Sequence, residues 1–339
     1  MDVFANSAAL AALLLSGQAP QQQTPAAPQP VACLAVPGAG VDALMARIAP
    51  ADQAVTEVFA GVGASDITDH QLTPAERALV REVLAGLPQL HRDILHHHLR
   101  RLNFLDLQPG SGSALTRVVN PGDASLQFDI TLKASLLHDS LTDFLNTKEQ
   151  RLFVDDGSGF SIGFDAGDSD ALTYILLHET SHVVDQVLQL TASPANRFGA
   201  GIWEDPRILA MPHADSLAAR TPFRRHPPVP GRHAPAYYQS LSNSPFVSFY
   251  ATAAASEDLA EAFAWEQLHT SQGQRLTLTV RDSEGLPLFA YAPLETEPAR
   301  RRFAQVQTFI AQYEQACRVA SSRMRSGLPS ADETTGGRL

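Results

Sequence analysis

The spacing of apolar residues along the chain predicts helices that alternate with short strands. Apolar residues recur every three or four positions in the helical segments, and Thr73 followed by Pro74 is typical of a helix start. Alternating apolar and polar residues, or glycine-punctuated runs of strand-forming residues, indicate the strands. The predicted helices cover two short stretches in 41–60 and then 73–87, 91–102, 171–190, 256–269 and 297–319, and the predicted strands lie in 126–137, 152–164, 275–280 and 286–291.

The first residues form a leader that differs from the rest of the chain. An apolar run at 8–15 is followed by a stretch rich in Gln, Pro and Ala that extends to residue 30. This order resembles a signal peptide, although the segment before the apolar run carries Asp2 and no Lys or Arg. We therefore expect residues 1–36 to be the leader and linker of an exported protein, with a cytoplasmic location as the alternative.

The rest of the chain is expected to divide into three parts. These are a helical N-terminal part over 37–106, a catalytic part over 107–322 and a flexible polar tail over 323–339. A Pro-rich segment over 192–246 interrupts the catalytic part. It is too long for a simple connection, so we expect it to form a lid or a wall of a cleft.

Composition excludes several classes of protein. The 339 residues are 44% hydrophobic and 18% charged, which suits a folded core. An excess of 36 acidic over 25 basic residues gives a net charge of −11, so we expect no nucleic-acid partner. Because no run approaches the roughly 18 apolar residues of a spanning helix, we expect no integral membrane segment.

Cys33 and Cys317 are the two cysteines of the chain, which excludes a Cys-rich zinc module. They either form one disulfide in an oxidising compartment or remain two unrelated thiols. A third alternative is that the thiolate of Cys33 binds a metal in the active site.

The strongest chemical signal is an HExxH motif formed by His178, Glu179 and His182. Two histidines four residues apart share one helix face, which allows both imidazoles to bind one Zn²⁺ ion. The carboxylate of Glu179 can then take the proton of a zinc-activated water. The alternative is a helix whose histidines only form hydrogen bonds, which the apolar period of the surrounding segment disfavours.

A catalytic zinc site needs a third protein ligand. The positions three and six residues after His182 lack the Gly and His of one zinc-peptidase subclass, so this ligand must come from elsewhere. Glu257 and Glu261 share a face of a later predicted helix. We assign Glu257 to the zinc and Glu261 to the free ring nitrogen of His178. The sequence leaves open the swapped assignment, and also Asp258.

Three motifs together resemble the gluzincin peptidases related to the anthrax lethal factor catalytic domain and to the Pro-Pro endopeptidases. That family has HExxHxxD, then a Ser-x-Tyr-Ala-like segment, then ExxxE with an Ala-Phe tail. The matching residues are His178, Glu179, His182, Asp185, Ser248, Tyr250, Ala251, Glu257, Glu261, Ala262 and Phe263. The resemblance implies that Tyr250 donates a hydrogen bond to the oxyanion, and that Asp185 supports His182 or the packing of its helix. It covers scattered motifs within about 87–269, and the long segment 192–246 departs from it.

These signals predict an α+β, zincin-like metallopeptidase domain, with a small edge-exposed sheet above the HExxH helix and a helical second half. We expect a zinc-dependent endopeptidase with one Zn²⁺ ion, in which Glu179 is the general base. Its protein or peptide substrate would extend along a sheet edge near Phe153, Phe160 and Phe164, which are themselves expected in the core. The alternatives are an exported, non-catalytic binding protein with a peptidase-like fold, and a zinc hydrolase of a non-peptide amide. The sequence indicates no oligomeric state.

Overall fold

A computed structural model describes the larger part of the chain, namely residues 32–36, 38–108, 110–123, 125–192 and 198–326. Most of the expected leader and most of the expected tail lie outside these described residues. None of the helices within the described ranges combines the length and the apolar character that crossing a bilayer requires.

The secondary structure is mixed, as the sequence predicts, with many helices and several small sheets. The α-helices are α1 (Val41–Met45), α2 (Gln53–Gly61), α3 (Pro74–Gly86), α4 (Gln89–His98), α5 (Leu141–Gln150), α6 (Ala171–Leu188), α7 (Ala234–Ser242), α8 (Ala255–Gln272) and α9 (Glu297–Ser326). The strands are β1 (Thr68–Asp69), β2 (Leu99–Asp106), β3 (Ala114–Val118), β4 (Phe128–Lys133), β5 (Phe153–Val154), β6 (Ser161–Asp165), β7 (Trp203–Asp205), β8 (Ile208–Leu209), β9 (Val229–Pro230), β10 (Thr277–Arg281) and β11 (Pro287–Tyr291).

The largest sheet has four strands in the order β1-β2-β4-β3. Strands β2 and β4 are parallel, whereas β1 and β3 run antiparallel to their neighbours. Alternate residues of β2 and β4, such as Phe104 and Ile130, enter the main core beneath α6. Leu105 and Leu115 point to the opposite face and form a smaller core with Phe59 of α2. This arrangement leaves β3 at one edge of the sheet.

Three strands of this sheet differ from the sequence prediction. The helix expected over 91–102 ends at His98, and the chain enters β2 at the next residue. The sequence pattern predicts neither β3 nor the short strand β1. The charge of Arg100, which the pattern would place on an exposed helix face, is instead bound by the carboxylates of Asp52 and Asp129. Strand β2 pairs with a strand on each side and is packed on both faces. Such a strand lacks the alternation of apolar and polar residues that identifies a half-exposed strand.

Helix α6 lies at the centre of the molecule, and its start is fixed by Asp170. The Asp170 side chain accepts a hydrogen bond of 2.7 Å from the backbone N–H of Thr173, as expected of a helix cap. The helix ends at Leu188, and the next residue, Gln189, adopts a left-handed conformation with φ of 54°. Almost every side chain of its first four turns is buried, so the HExxH residues lie inside the protein.

The main core contains residues from both the expected N-terminal part, 37–106, and the expected catalytic part, 107–322. Its members run from Leu44 of α1, through α6 and α8, to Tyr313 of α9. The sheet also spans this boundary, because β2 precedes it and β3 and β4 follow it. The helical segment over 37–106 and the segment carrying the motif therefore fold around one core.

A disulfide between Cys33 and Cys317 ties the first described residues to α9. Beside it, the backbone N–H of Leu34 donates a hydrogen bond of 3.1 Å to the hydroxyl of Tyr313. Of the alternatives for the two cysteines, the disulfide is therefore the arrangement found. The proposal that Cys33 binds a metal as a thiolate is wrong, because its sulfur is bonded to Cys317.

Candidate metal centre

Helices α6 and α8 pack against each other and bring three donor side chains together. The Nε2 atoms of His178 and His182 lie 3.2 Å apart. The Oε2 atom of Glu257 lies 3.2 Å from the first of these nitrogens and 3.4 Å from the second. The side chains of His178 and Glu257 are each only 5% exposed, and that of His182 is 15% exposed. Two imidazole nitrogens and one carboxylate oxygen thus converge in a group that can hold a metal ion.

The electrostatics of this group depend on the contact between the carboxylate and the imidazoles. Burial alone would lower the pKa of His178, but Glu257 and Glu261 outweigh burial and raise that pKa to about 10. The pKa of His182 is also raised, with Glu257 again opposing burial. Burial favours the neutral form of Glu257, yet the two imidazoles hold its pKa well below the usual range. The pocket therefore stabilises positive charge at the imidazoles, which a metal cation can supply instead of a proton.

Glu261 lies one turn further along α8 and faces the other nitrogen of His178. Its Oε1 is 3.1 Å from the Nδ1 atom, although the ring N–H is not well aligned with it. Tyr174 donates a hydrogen bond of 2.5 Å to Oε1, and Ser248 donates one of 2.7 Å to Oε2. The ammonium of Lys148 lies 3.9 Å from Oε1. These contacts fix a fully buried carboxylate beside His178, an arrangement that would orient this histidine if it bound a metal.

Asp258, the neighbour of Glu257, faces a different part of the protein. Its carboxylate accepts a hydrogen bond of 3.0 Å from the indole of Trp203 and forms a buried ion pair with Arg302. It is therefore not a member of the donor group. The swapped assignment is also disfavoured, because Glu257 contacts both Nε2 atoms whereas Glu261 contacts Nδ1.

Glu179 lies outside the donor group and lines a cleft beside it. The hydroxyl of Thr116, on the edge strand β3, lies 2.7 Å from Oε2 of Glu179 and 3.1 Å from its carbonyl oxygen. Sequence reasoning missed Thr116, because 63 residues separate it from Glu179 and no local motif marks it.

The strand that contacts the motif also differs from the predicted one. It is β3, whereas the segment expected at the site, 152–164, contributes to β5 and β6, which belong to two other small sheets. Phe153 and Phe164 from that segment pack against the cores, as expected, whereas Phe160 is half-buried and is not part of the core clusters of the described residues.

Tyr250 lies in a short 3₁₀ turn just before α8 and borders the same cleft. Its ring centre is 5.8 Å from that of His178 and 5.0 Å from that of Phe223. The ammonium of Lys148 sits 4.2 Å from the centre of the ring. Burial and the nearby carboxylates, Glu257 foremost, raise the pKa of Tyr250 well above its usual value. The phenol therefore keeps its proton and can donate a hydrogen bond.

Asp185 lies near the end of α6, and within the described residues its carboxylate forms hydrogen bonds with Thr191 and none with the donor atoms. Its two carboxylate oxygens accept hydrogen bonds of 2.8 and 2.6 Å from the backbone N–H and the hydroxyl of Thr191. Burial raises its pKa, and the charge of His182 acts in the opposite direction. Of the two roles considered for Asp185, its contacts match support of the helix.

The cleft beside the donor group has a volume of about 210 Å³. His178, Glu179 and Tyr250 form one part of its lining. Pro222 and Phe223 form another part, so the Pro-rich segment over 192–246 contributes a wall of the cleft.

Comparisons of the chain with protein-family models, with curated proteins and with solved structures found no match. The function of the protein must therefore be inferred from its own residues and their arrangement.

Proposed function

We propose that this protein is a zinc-dependent endopeptidase of the gluzincin type, with a zincin-like fold, which hydrolyses peptide bonds of a protein or peptide. The observation that carries the proposal is the convergence of His178, His182 and Glu257, with Glu179 in the adjoining cleft but outside the group. Two imidazoles and one carboxylate form a known ligand set of catalytic zinc, which leaves one position open for water. Among the described residues the donor group has these three members, which supports an open site over a closed structural one.

Each nearby side chain has a role in this reaction. Zinc, when bound, supplies the Lewis acidity that lowers the pKa of water and polarises a carbonyl. The carboxylate of Glu179, held by the Thr116 hydroxyl, accepts the proton of the attacking water and later passes it to the leaving amine. The phenol of Tyr250 donates a hydrogen bond to the carbonyl oxygen as negative charge develops there. Glu261 keeps the ring of His178 in place.

The position of β3 supports a peptide as the substrate. This strand pairs with β4 on one side, and no strand within the described residues pairs with its other side. Ala114 of β3 lines the cleft, and Thr116 of the same strand holds Glu179. An extended peptide that pairs with this free edge would therefore pass the donor group.

The Cys33–Cys317 disulfide supports an exported protein. Disulfides persist in oxidising compartments and are rare in the cytosol. We therefore propose that the protein acts outside the cytoplasm.

The test combines metal analysis with cleavage of a peptide library by three proteins. These are the wild type, the Glu179→Gln variant and a Glu284→Gln control, in which the same change is made at an exposed hairpin residue that is not part of the cleft lining. We expect about one zinc per chain in all three. The control should cleave like the wild type, and Glu179→Gln should lose activity by roughly a factor of a thousand.

Full activity of Glu179→Gln would contradict the mechanism. If the wild type retained zinc and bound peptides without cleaving any of them, a non-catalytic binding protein would replace the proposed peptidase.

A further inference from the structure

Three basic side chains line the cleft beside the donor group. Lys133 ends β4, Lys148 lies in the last turn of α5, and Arg151 follows that helix. The protein as a whole has an excess of acidic residues, 36 against 25 basic ones. A group of cations at the cleft is therefore not explained by the overall composition.

Two of these cations lack a carboxylate partner. Within the described residues, the ammonium of Lys133 contacts only the carbonyl oxygen of Gln108, at 3.3 Å, and the guanidinium of Arg151 has no hydrogen-bond or ion-pair partner. Burial lowers the pKa of Lys133, the charge of Asp139 opposes this shift, and the charge of Arg151 adds to it. Lys148 differs from them, because it already contacts Glu261 and the ring of Tyr250.

The acids that share this wall of the cleft are bound within their own turns. Asp139 accepts a hydrogen bond of 3.1 Å from the hydroxyl of Ser135. Asp143 accepts one of 2.8 Å from the hydroxyl of Ser140. Neither carboxylate lies within 4.0 Å of a basic group in the part of the chain that the structure describes. Arg151 is exposed and Lys133 is half-buried at the cleft, so an anionic group of the substrate can reach two cations that have no carboxylate partner.

We propose that Lys133 and Arg151 bind a carboxylate of the peptide substrate close to the scissile bond. This inference rests on the proposed peptidase function and adds a substrate class to it, namely peptides with an acidic group near the cleaved bond. The carboxylate can come from a Glu or Asp side chain or from the C-terminus of a short peptide. Apolar residues of the lining, among them Leu136, Phe144 and Ile175, would pack against the rest of the peptide.

The experiment uses peptides built around one sequence that the library shows to be cleaved or bound. Glu, Gln or Lys is placed in turn at each of the positions on both sides of the central bond, and each peptide is made with a free and with an amidated C-terminus. Cleavage is measured with the zinc-loaded wild type, and the dissociation constant is measured with zinc-loaded Glu179→Gln. We expect Glu to be preferred over Gln at one position by roughly tenfold, with Lys the worst. If the C-terminal carboxylate is the group that is bound, amidation will instead cause the loss.

Variants then assign the preference to the two cations. Arg151→Gln and Lys133→Gln should each reduce it, and the double variant should remove it while zinc content and thermal unfolding stay unchanged. Arg275→Gln is the matched control, because Arg275 is exposed and lies outside the cleft lining. It should keep the full preference.

The results separate failure of this inference from failure of the proposed function. Cleavage without any preference for a carboxylate, or a preference that survives in the double variant, would overturn the inference and leave the peptidase intact. A preference in binding that the double variant removes, with no cleavage of any peptide by the wild type, would reject the peptidase and keep the carboxylate site.

Discussion

Two adjacent buried carboxylates on α8 have opposite surroundings. Glu257 faces α6, where its Oε2 lies 3.2 and 3.4 Å from the Nε2 atoms of His178 and His182. Asp258, the next residue, faces away and forms a buried ion pair with Arg302 of α9. The first carboxylate has imidazole partners, which can exchange a proton for a metal ion. The second has a guanidinium, whose charge is permanent.

This difference shows that a buried acid is not by itself a sign of function. Both side chains are almost fully buried, and both lie in the first turn of α8. What separates them is the chemistry of the partner. The ion pair between Asp258 and Arg302 joins α8 to α9. A carboxylate between two imidazoles, in contrast, forms a site for a cation.

The largest effect is expected from removing the carboxylate that faces the imidazoles. Glu257→Ala should weaken zinc binding by more than about a thousandfold, because one of three protein ligands is lost. Competition with a chelator measures this affinity. The matched variant Asp258→Asn should keep the zinc affinity of the wild type as long as it is folded. Equal losses of affinity in the two variants would remove the distinction between the two carboxylates.

The next largest effect concerns stability. Asp258→Ala leaves Arg302 buried without its counter-charge, and we expect a loss of about 3–5 kcal/mol in the free energy of unfolding. Urea unfolding of the metal-free protein measures it. The double variant Asp258→Leu with Arg302→Met should recover most of this loss, since neither charge then remains buried. A double variant as unstable as the single one would show that the ion pair is not the cause.

A smaller effect should follow when the carboxylate behind His178 is neutralised. Glu261→Gln keeps the shape of the side chain but removes the charge that faces Nδ1. We expect zinc affinity to fall by about ten- to a hundredfold. The same chelator competition applies, with Glu284→Gln as the control. If affinity did not change, Glu261 would belong with Asp258 as a structural acid.

The smallest expected effect is on turnover and concerns Glu179, the acid that lines the cleft beside the donor group. Thr116→Val removes the hydroxyl that lies 2.7 Å from Oε2 of Glu179 but keeps the shape of the side chain. We expect turnover to fall by roughly tenfold, because Glu179, the proposed general base, would be less well placed. Zinc content should stay at the wild-type value. Unchanged turnover with peptide substrates would show that Glu179 needs no support from β3.

Much of the candidate site follows from local spacing in the sequence. His178 and His182, and likewise Glu257 and Glu261, are four residues apart on helices that apolar periodicity predicts, so each pair must share a face. Spacing could not decide between Glu257 and Asp258. That choice depends on which neighbour, α6 or α9, each residue meets in the folded protein.

The parts that were missed depend on distant contacts. Strand β2 follows α4 with no breaking residue, and the charge of its Arg100 is balanced by Asp52 and Asp129 from elsewhere in the chain. Thr116 has no motif around it, and its role arises because β3 packs against α6. Such positions are set by tertiary packing, which outweighs local propensity.

The central claim is that His178, His182 and Glu257 together hold one zinc ion. X-ray absorption spectroscopy of the zinc-loaded protein tests it directly, with Glu257→Ala measured in parallel. The account predicts one zinc per chain, coordinated by two imidazole nitrogens and by oxygen from a carboxylate and water, at about 2.0–2.2 Å. It also predicts loss of this spectrum in the variant. A zinc bound by other ligands, or an unchanged spectrum in Glu257→Ala, would contradict it.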